Sequence, residues 1–404
     1  MTHSLKDVNL TTFFTNLRGS NRLVKKKPMR VEPNVMKPVG ILGGGQLARM
    51  MALKAHEMGV RVAVLSENEK DPAAQVTALW KKGPLNDRWT LLDFLRSCSV
   101  VTFESEFMDA ELLAELERES GTPIFPKPAD MAKLQDRLTQ KELLEKFALP
   151  TAPYFPVVSE AEARHALKAL GGKAVFKKRR FGYDGYGTFV VKTQSDFEKF
   201  VPELEKNPHG FIAEAFVKFR RELAVIVARG RDDRFIRLPF VESHQENSRC
   251  LWVKGPLKET KALGQLGKRL ERFLKGIDYV GVMGIELFDS ARGLFVNELA
   301  PRVHNTGHYS LDALTDDQFS LHLKAILGCE LKQPALNAKG FAMMNLLGTH
   351  SGLPSWTLPG DIKLHWYGKS ENRPGRKMGH INAVGATPEA ALALVKRRRG
   401  AFNV

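Results

Sequence analysis

An α/β protein of three lobes is predicted by three observations. The short apolar strand VGIL (Val39–Leu42) runs into Gly43-Gly44-Gly45, then into the helical pattern QLARMMALKAHEM and the strand VRVAVLS. That is a βαβ opening with glycines at the strand-to-helix turn. Further on, the strand KAVFKK carries Lys177 into the glycine-rich hairpin RRFGYDGYG, and two apolar strands bearing Glu286 and Glu298 flank the turn-like segment DSARG.

With 404 residues and 43% hydrophobic content, the chain can form two or three lobes of an ordinary soluble enzyme. No apolar run reaches transmembrane length, so no membrane partner is expected. Cys98, Cys250 and Cys329 are far apart and odd in number, which argues against a disulfide framework or zinc site and for a reducing cytoplasm. The formal net charge of +16 raises nucleic-acid binding, but the basic residues form neither an aromatic-interleaved patch nor a helix-turn-helix. Much of the excess sits in residues 1–35, read as a disordered basic extension, and in Lys396–Arg399. A positive field would also steer phosphorylated substrates inward.

The opening turn fits a dinucleotide fingerprint poorly, because Ala48 stands at the third glycine position although Glu67 could serve as the later acid. VVTFE (Val100–Glu104) reads as a strand and Asp109–Glu119 as a helix, and the proline-rich Thr122–Pro128 closes a first domain over 36–128. MAKLQDRLTQKELLEKF reads as one helix entering a second domain, 129–330. There Lys177 can neutralise phosphate charge while a loop built on Gly182, Gly185 and Gly187 cradles oxygens, without the spacing of a Walker loop. His209–Val217 reads as a strand able to read an adenine edge, a further strand begins near Glu222, and Thr260–Lys275 is an amphipathic helix. A last βα region from Gly340 falls in a third domain, 331–404.

The run NELAPRVHNTG (Asn297–Gly307) carries a carboxylate, a guanidinium, an imidazole and an amide in Glu298, Arg302, His304 and Asn305. With DSARG as the turn, Glu286 is expected beside Val296 and Glu298 beside Gly284, so that the glutamates are diagonal neighbours on one sheet face. Two such carboxylates suit a Mg²⁺ ion that also takes phosphate oxygens. In a strand as apolar as VGVMGIELF a buried carboxylate needs a partner of this kind.

Lysine strand, glycine-rich loop, adenine strand and paired glutamates stand in the order of the ATP-grasp superfamily. Within it GILGGGQLARMM, DRLTQKELL, KKRRFGYDGYG, VGVMGIELF, NELAPRVHNTGH and HWYGKSENRPGRKMGH make the chain from Met36 onward resemble the N5-carboxyaminoimidazole ribonucleotide synthetases. The resemblance implies an α/β (α+β) three-lobed ATP-grasp fold. Its parts are an N-terminal Rossmann-like lobe similar to that of biotin carboxylase, a central ATP-grasp lobe with its lid near 150–215, and a small C-terminal lobe. It also implies carboxylation of 5-aminoimidazole ribonucleotide through carboxyphosphate, a step of purine (IMP) biosynthesis, using ATP, Mg²⁺ (with Mn²⁺ as a substitute) and bicarbonate. A cytoplasmic homodimer that passes its product to a mutase completes the expectation.

Carried over by position, the resemblance assigns Arg137, Lys177 and the loop Gly182, Tyr183, Asp184, Gly185, Tyr186, Gly187 and Thr188 to ATP. Glu214, Ala215, Phe216 and Val217 would line the adenine, Glu222 would bond the ribose, and Asn297 and Glu298 would complete the nucleotide site. Glu286, Glu298 and Asn305 would hold the metal. Arg302 would orient bicarbonate and carboxyphosphate, with His304 binding the same group or moving a proton. Tyr183 and Asp184 would sit near the substrate amine, Asp184 as its proton acceptor. Gly44, Gly45, Gln46, Leu47, Arg373, Arg376 and Lys377 would hold the ribose phosphate, with Lys377 also among the catalytic groups. Val241–Cys250 departs from the family spacing, so His244 receives no role. The rival readings are a formate-using glycinamide ribonucleotide transformylase, which shares the core but not the PRVHN and RKMGH pair, and a non-catalytic scaffold, which would lack a metal glutamate or the strand lysine.

Overall fold

The computed structural model describes residues 37–182 and 185–404; the basic extension, Tyr183 and Asp184 lie outside the described residues. The first unit is a parallel sheet in the order Leu79–Lys82, Val62–Ser66, Val39–Leu42, Val100–Phe103. Every residue of the last three strands is buried, as parallel strands covered on both faces require. Helices Gln46–Glu57, Arg88–Ser97 and Ala110–Ser120 supply the cover, the latter two started by the carboxylates of Asp87 and Asp109. The strand order reverses between Val39–Leu42 and Val100–Phe103, and ligands bind beyond the carboxyl ends of strands at such a point. Gly43 turns the chain there at φ +100°, where a Cβ would also overlap the Glu104 side chain.

The single helix expected over Met131–Phe147 is two helices, Pro128–Leu134 and Arg137–Lys146. Asp136 takes an extended conformation between them, and its carboxylate accepts from Leu138 N at 2.9 Å. Arg137 thereby opens the second helix, with Lys141 one turn along the same face.

A four-stranded antiparallel sheet follows, ordered Tyr154–Val157, Phe211–Ala215, Ala174–Lys178, Thr188–Val191. Helices Glu160–Ala169 and Gln194–Glu205 pack on one face through Phe176, Phe197, Phe200 and Phe211. The opposite face turns Val175 and Lys177 to a cleft.

The floor of that cleft is a nine-stranded antiparallel sheet. Its path runs Gly293–Ala300, Gly281–Ser290, Phe219–Arg229, Val241–Glu246, Arg249–Gly255, Gly340–Leu347, Lys377–Gly385, Lys363–Trp366, with Phe235–Arg237 pairing to the side. The amphipathic helix Lys261–Gly276, capped by Thr260, buries Leu263, Leu266, Leu270, Phe273 and Leu274 beneath it. Gly340–Leu347, Lys363–Trp366 and Lys377–Gly385 thus extend the central sheet, backed by helix Pro388–Arg398, while Ser355–Trp356 and Phe402–Asn403 pair apart from it. His322 pins the first unit to this floor. Its Nδ1 accepts from Val282 N at 3.1 Å, so its Nε2 donates to the Thr102 hydroxyl at 2.8 Å. Burial holds that imidazole neutral by lowering its pKa to about 4.

The register of the two-glutamate hairpin differs from expectation. The turn is two residues, with Ser290 opposite Gly293, and an irregularity beside Glu286 leaves Asn297 as an extra residue. Glu286 then faces Glu298 directly rather than diagonally, which brings the two carboxylates closer.

Candidate functional site

A cavity of about 650 Å³ lies between the lid sheet, the floor sheet and the first unit. On its nucleotide-facing side, Lys177 Nζ reaches Asn297 Oδ1 at 2.9 Å and Glu214 Oε1 at 3.2 Å. Arg137 donates to Glu298 Oε1 at 3.0 Å and to the carbonyls of Lys178 and Gly182 at 3.1 and 3.3 Å. Gly182, Gly185, Thr188, Ala215, Phe216 and Val217 line the same space. Tyr186 and Gly187 do not: the Lys178 ammonium lies 4.9 Å from the Tyr186 ring centre, and Gly187 packs on the Lys178 stem.

Glu214 lines the same cavity, with its carboxylate buried between Lys177 and Lys141. Burial alone would raise its pKa, but the two ammonium groups outweigh burial and lower it. By contrast, Glu222 buries an Oε2 atom that has no hydrogen-bond partner among the described residues, as a ribose hydroxyl would supply. Burial raises its pKa.

Glu298 and Glu222 both lie close enough to Glu286 to disfavour its charge. Burial first, then Glu298 and Glu222, push Glu286 up to about 7, while a 3.3 Å hydrogen bond from Gln245 only partly offsets this. A divalent cation would relieve that repulsion, so the donor set fits Mg²⁺. Asn305 lines the cleft with its amide exchanging bonds of 3.0 and 2.7 Å with Asn345, which fixes its orientation.

On the other side, Arg302 is deeply set, with 19% of its side chain still exposed to the cleft. Its fork, expected open for bicarbonate, is closed by Glu106: Nε donates to Oε2 and Nη2 to Oε1 at 2.9 Å, while Nη1 meets the Val303 carbonyl at 3.2 Å. A guanidinium this deep requires an internal counter-charge. Burial would lower its pKa, but Glu106 outweighs burial and raises it. His304 lies across the floor strand because Gly284 has no Cβ; one there would sit 2.4 Å from the His304 Cβ. Its Nδ1 accepts from Thr306 N at 3.4 Å, which puts the neutral ring's proton on Nε2, 3.9 Å from Glu286 Oε1.

The phosphate cradle also departs from expectation. Gln46 and Leu47 line the cleft, but Gly44 packs against Ser66 and Asp71, and Gly45 N and Ala48 N donate to the Glu104 carboxylate at 2.5 and 3.2 Å. A helix N-terminus attracts an anion, and here an internal one occupies it. Of the basic cluster, Lys377 lines the cleft. Arg373 instead pairs with the Glu371 carboxylate at 3.0 Å, and Arg376 donates to the Glu371 carbonyl at 2.8 Å.

Sequence reasoning missed Glu104 and Glu106, although their place after the strand at the reversal point was a usable signal. It also missed Gln245, His308 and Lys141. A β-bulge between His244 and Gln245 gives Gln245 the cleft face and leaves His244 stacked on Trp252 at 5.0 Å; nothing in the sequence announces it.

Residues 36–135 match the ribonucleotide synthetase preATP-grasp domain, 142–319 the ATP-grasp domain, and 342–394 the phosphoribosylaminoimidazole carboxylase C-terminal domain. The chain is 40% identical over 352 residues to an N5-carboxyaminoimidazole ribonucleotide synthase of Synechococcus elongatus, spanning 85% of this chain and 88% of that one. It superposes with a TM-score of 0.82 on the Staphylococcus aureus N5-carboxyaminoimidazole synthetase complexed with ADP, at 29% identity over 91% of this chain and 100% of that one. For the Aspergillus clavatus N5-carboxyaminoimidazole synthase in complex with ADP and 5-aminoimidazole ribonucleotide, the TM-score is 0.80 at 28% identity, covering 90% and 99%.

Proposed function

The chain belongs to the N5-carboxyaminoimidazole ribonucleotide synthase family, and from that premise we infer that its cleft carboxylates 5-aminoimidazole ribonucleotide with ATP and bicarbonate. The observation that carries this reading is one cavity joining the carboxylates Glu222, Glu286 and Glu298, the first two without a cation paired to them among the described residues, to the cations Arg302 and Lys377. The first set accepts a metal nucleotide and the second an anionic acceptor.

A bicarbonate oxygen attacks the γ-phosphorus and ADP leaves, giving carboxyphosphate. The amine nitrogen then takes the carboxyl carbon, directly or as released CO₂; phosphate leaves and the amine gives up a proton. Lys177 and Arg137 neutralise the phosphate oxygens. Of the five N–H groups of Arg302, three are engaged within the protein, so the others are left to orient bicarbonate and carboxyphosphate. His304 offers an Nε2 proton on the same side. Glu286 and Glu298, with Asn305 beside them, would hold Mg²⁺, which when bound would supply charge neutralisation for phosphoryl transfer. Gln46, Leu47 and Lys377 hold the ribose phosphate. Tyr183 and Asp184 keep their proposed place near the amine.

The same reading divides the chain into the 1–35 extension and domains at 36–128, 129–330 and 331–404. It makes the protein a cytoplasmic homodimer feeding a mutase. Among the described residues no helix is long and apolar enough to cross a membrane.

The test is ADP release with Mg²⁺-ATP and bicarbonate, with and without 5-aminoimidazole ribonucleotide, and with formate plus glycinamide ribonucleotide in parallel. Strong stimulation by the aminoimidazole nucleotide is expected. Stimulation by the formate pair alone would move the chain to the transformylase reaction.

A further inference from the structure

We propose that Lys141 is a positioning residue for nucleotide binding, acting through Glu214 to keep Lys177 available to the ATP phosphates. The proposal rests on the carboxylase reading for the place of ATP, and it concerns a side chain to which that reading gives no role.

Lys141 is 2% exposed, which for a lysine requires dedicated partners. Its Nζ lies 2.7 Å from the Thr151 hydroxyl and 3.1 Å from Glu214 Oε2. The other oxygen of Glu214 meets Lys177 at 3.2 Å, and Lys177 continues to Asn297 Oδ1 at 2.9 Å. The row therefore joins the helix that starts at Arg137, two strands of the lid sheet, and the floor strand carrying Glu298.

A buried carboxylate must keep a counter-charge. If Glu214 had Lys177 alone, moving Lys177 to a phosphate would strand that carboxylate, and Lys177 would be withheld from the nucleotide. With Lys141 fixed on the second oxygen, Glu214 stays compensated when Lys177 turns away. The burial of Lys141 favours its neutral form, and Glu214 is the group that opposes this. Both lysines meet the same carboxylate, and of the two only Lys177 faces the cleft.

The experiment is a double-mutant cycle on the full chain, reading nucleotide affinity with a fluorescent ATP analogue and steady-state KM for ATP and for 5-aminoimidazole ribonucleotide. Lys141→Met should weaken nucleotide binding about tenfold, with the KM for the aminoimidazole nucleotide unchanged. Adding Glu214→Gln in the Lys141→Met background should recover at least threefold of that loss, because the anion holding Lys177 is gone. A second substitution that deepens the loss, or an equal rise in both KM values, would overturn the proposal, since a purely structural lysine predicts one or the other. If Lys141→Met does not fold, Thr151→Val tests the same row: a two- to threefold loss confined to the nucleotide is expected, and no change would count against it. Direct nucleotide binding keeps this test separate from the reaction, because it reads out even where no carboxylation is seen.

Discussion

The two sides of the cleft hold their charges in opposite ways. Beneath the lid, Glu298 has Arg137, but Glu222 and Glu286 have no paired cation among the described residues, and burial raises the pKa of both, Glu286 further through its carboxylate neighbours. Across the cavity, Glu106 closes on Arg302, and Glu104 closes on the amides at the start of helix Gln46–Glu57. The acidic side is incomplete without a cation, whereas the basic side is already compensated from within. Its anions must therefore be selected by geometry rather than by bulk charge.

Breaking the acidic side should have the largest effect. Glu298→Gln removes a proposed metal carboxylate and the Arg137 anchor, and ADP release at saturating Mg²⁺ should fall by roughly two to three orders of magnitude with the circular dichroism spectrum unchanged. Wild-type turnover would end the metal assignment. Glu106→Gln attacks the other side. It leaves the deeply set guanidinium with a neutral partner, and denaturant unfolding should show a loss of about 3 kcal/mol.

The third prediction concerns pH. Glu286 titrates near 7 in the folded chain against an ordinary 4.5, so the fold binds its proton more tightly than the unfolded chain does. Without metal, its unfavourable contribution is fully present above pH 7 and disappears as pH falls toward 4.5. The difference is roughly 3 kcal/mol at most, and Glu286→Gln should flatten it. Proton and metal compete for this carboxylate, so apparent Mg²⁺ affinity should be about tenfold weaker at pH 6 than at pH 8 by titration calorimetry; a flat profile would remove Glu286 from the metal site. The smallest effect separates neighbours in one motif. Lys377→Ala should raise the KM for 5-aminoimidazole ribonucleotide about tenfold and leave that for ATP alone, whereas Arg373→Ala, exposed and paired with Glu371, should change it by less than about threefold.

Regular patterns carried most of the fold. The buried runs at Val39, Val62 and Val100 gave the parallel sheet, and the leucine stripe after Thr260 gave its helix. What escaped was irregular or long-range. One extra residue at Asn297 set the glutamates face to face, and Asp136 broke one helix into two, although an Asp before Arg-Leu-Thr is an ordinary cap. In the site, the motif glutamates, Arg302, His304 and Lys377 were legible as types. Their partners were not, because Glu106 lies 196 residues from Arg302 in the chain. Lys141 carried no signal of its own, because Glu214, the carboxylate that pairs with it, lies 73 residues away in the chain.

The uninterrupted ladder from Gly293–Ala300 to Lys363–Trp366 has a consequence for how the proposed site is held. Arg302, His304 and Lys377 all stand on or beside that one sheet, and His322 clamps the unit bearing Gln46 to it. The residues proposed for bicarbonate and the sugar phosphate thus share one hydrogen-bonded frame. Among the described residues the sheet of Tyr154–Ala215 shares no ladder with the floor; the two are joined by Lys177 on Asn297 and by the bridge of Thr151 to Val296. A nucleotide between the two sheets would therefore touch two separately built frameworks, held together at these few contacts.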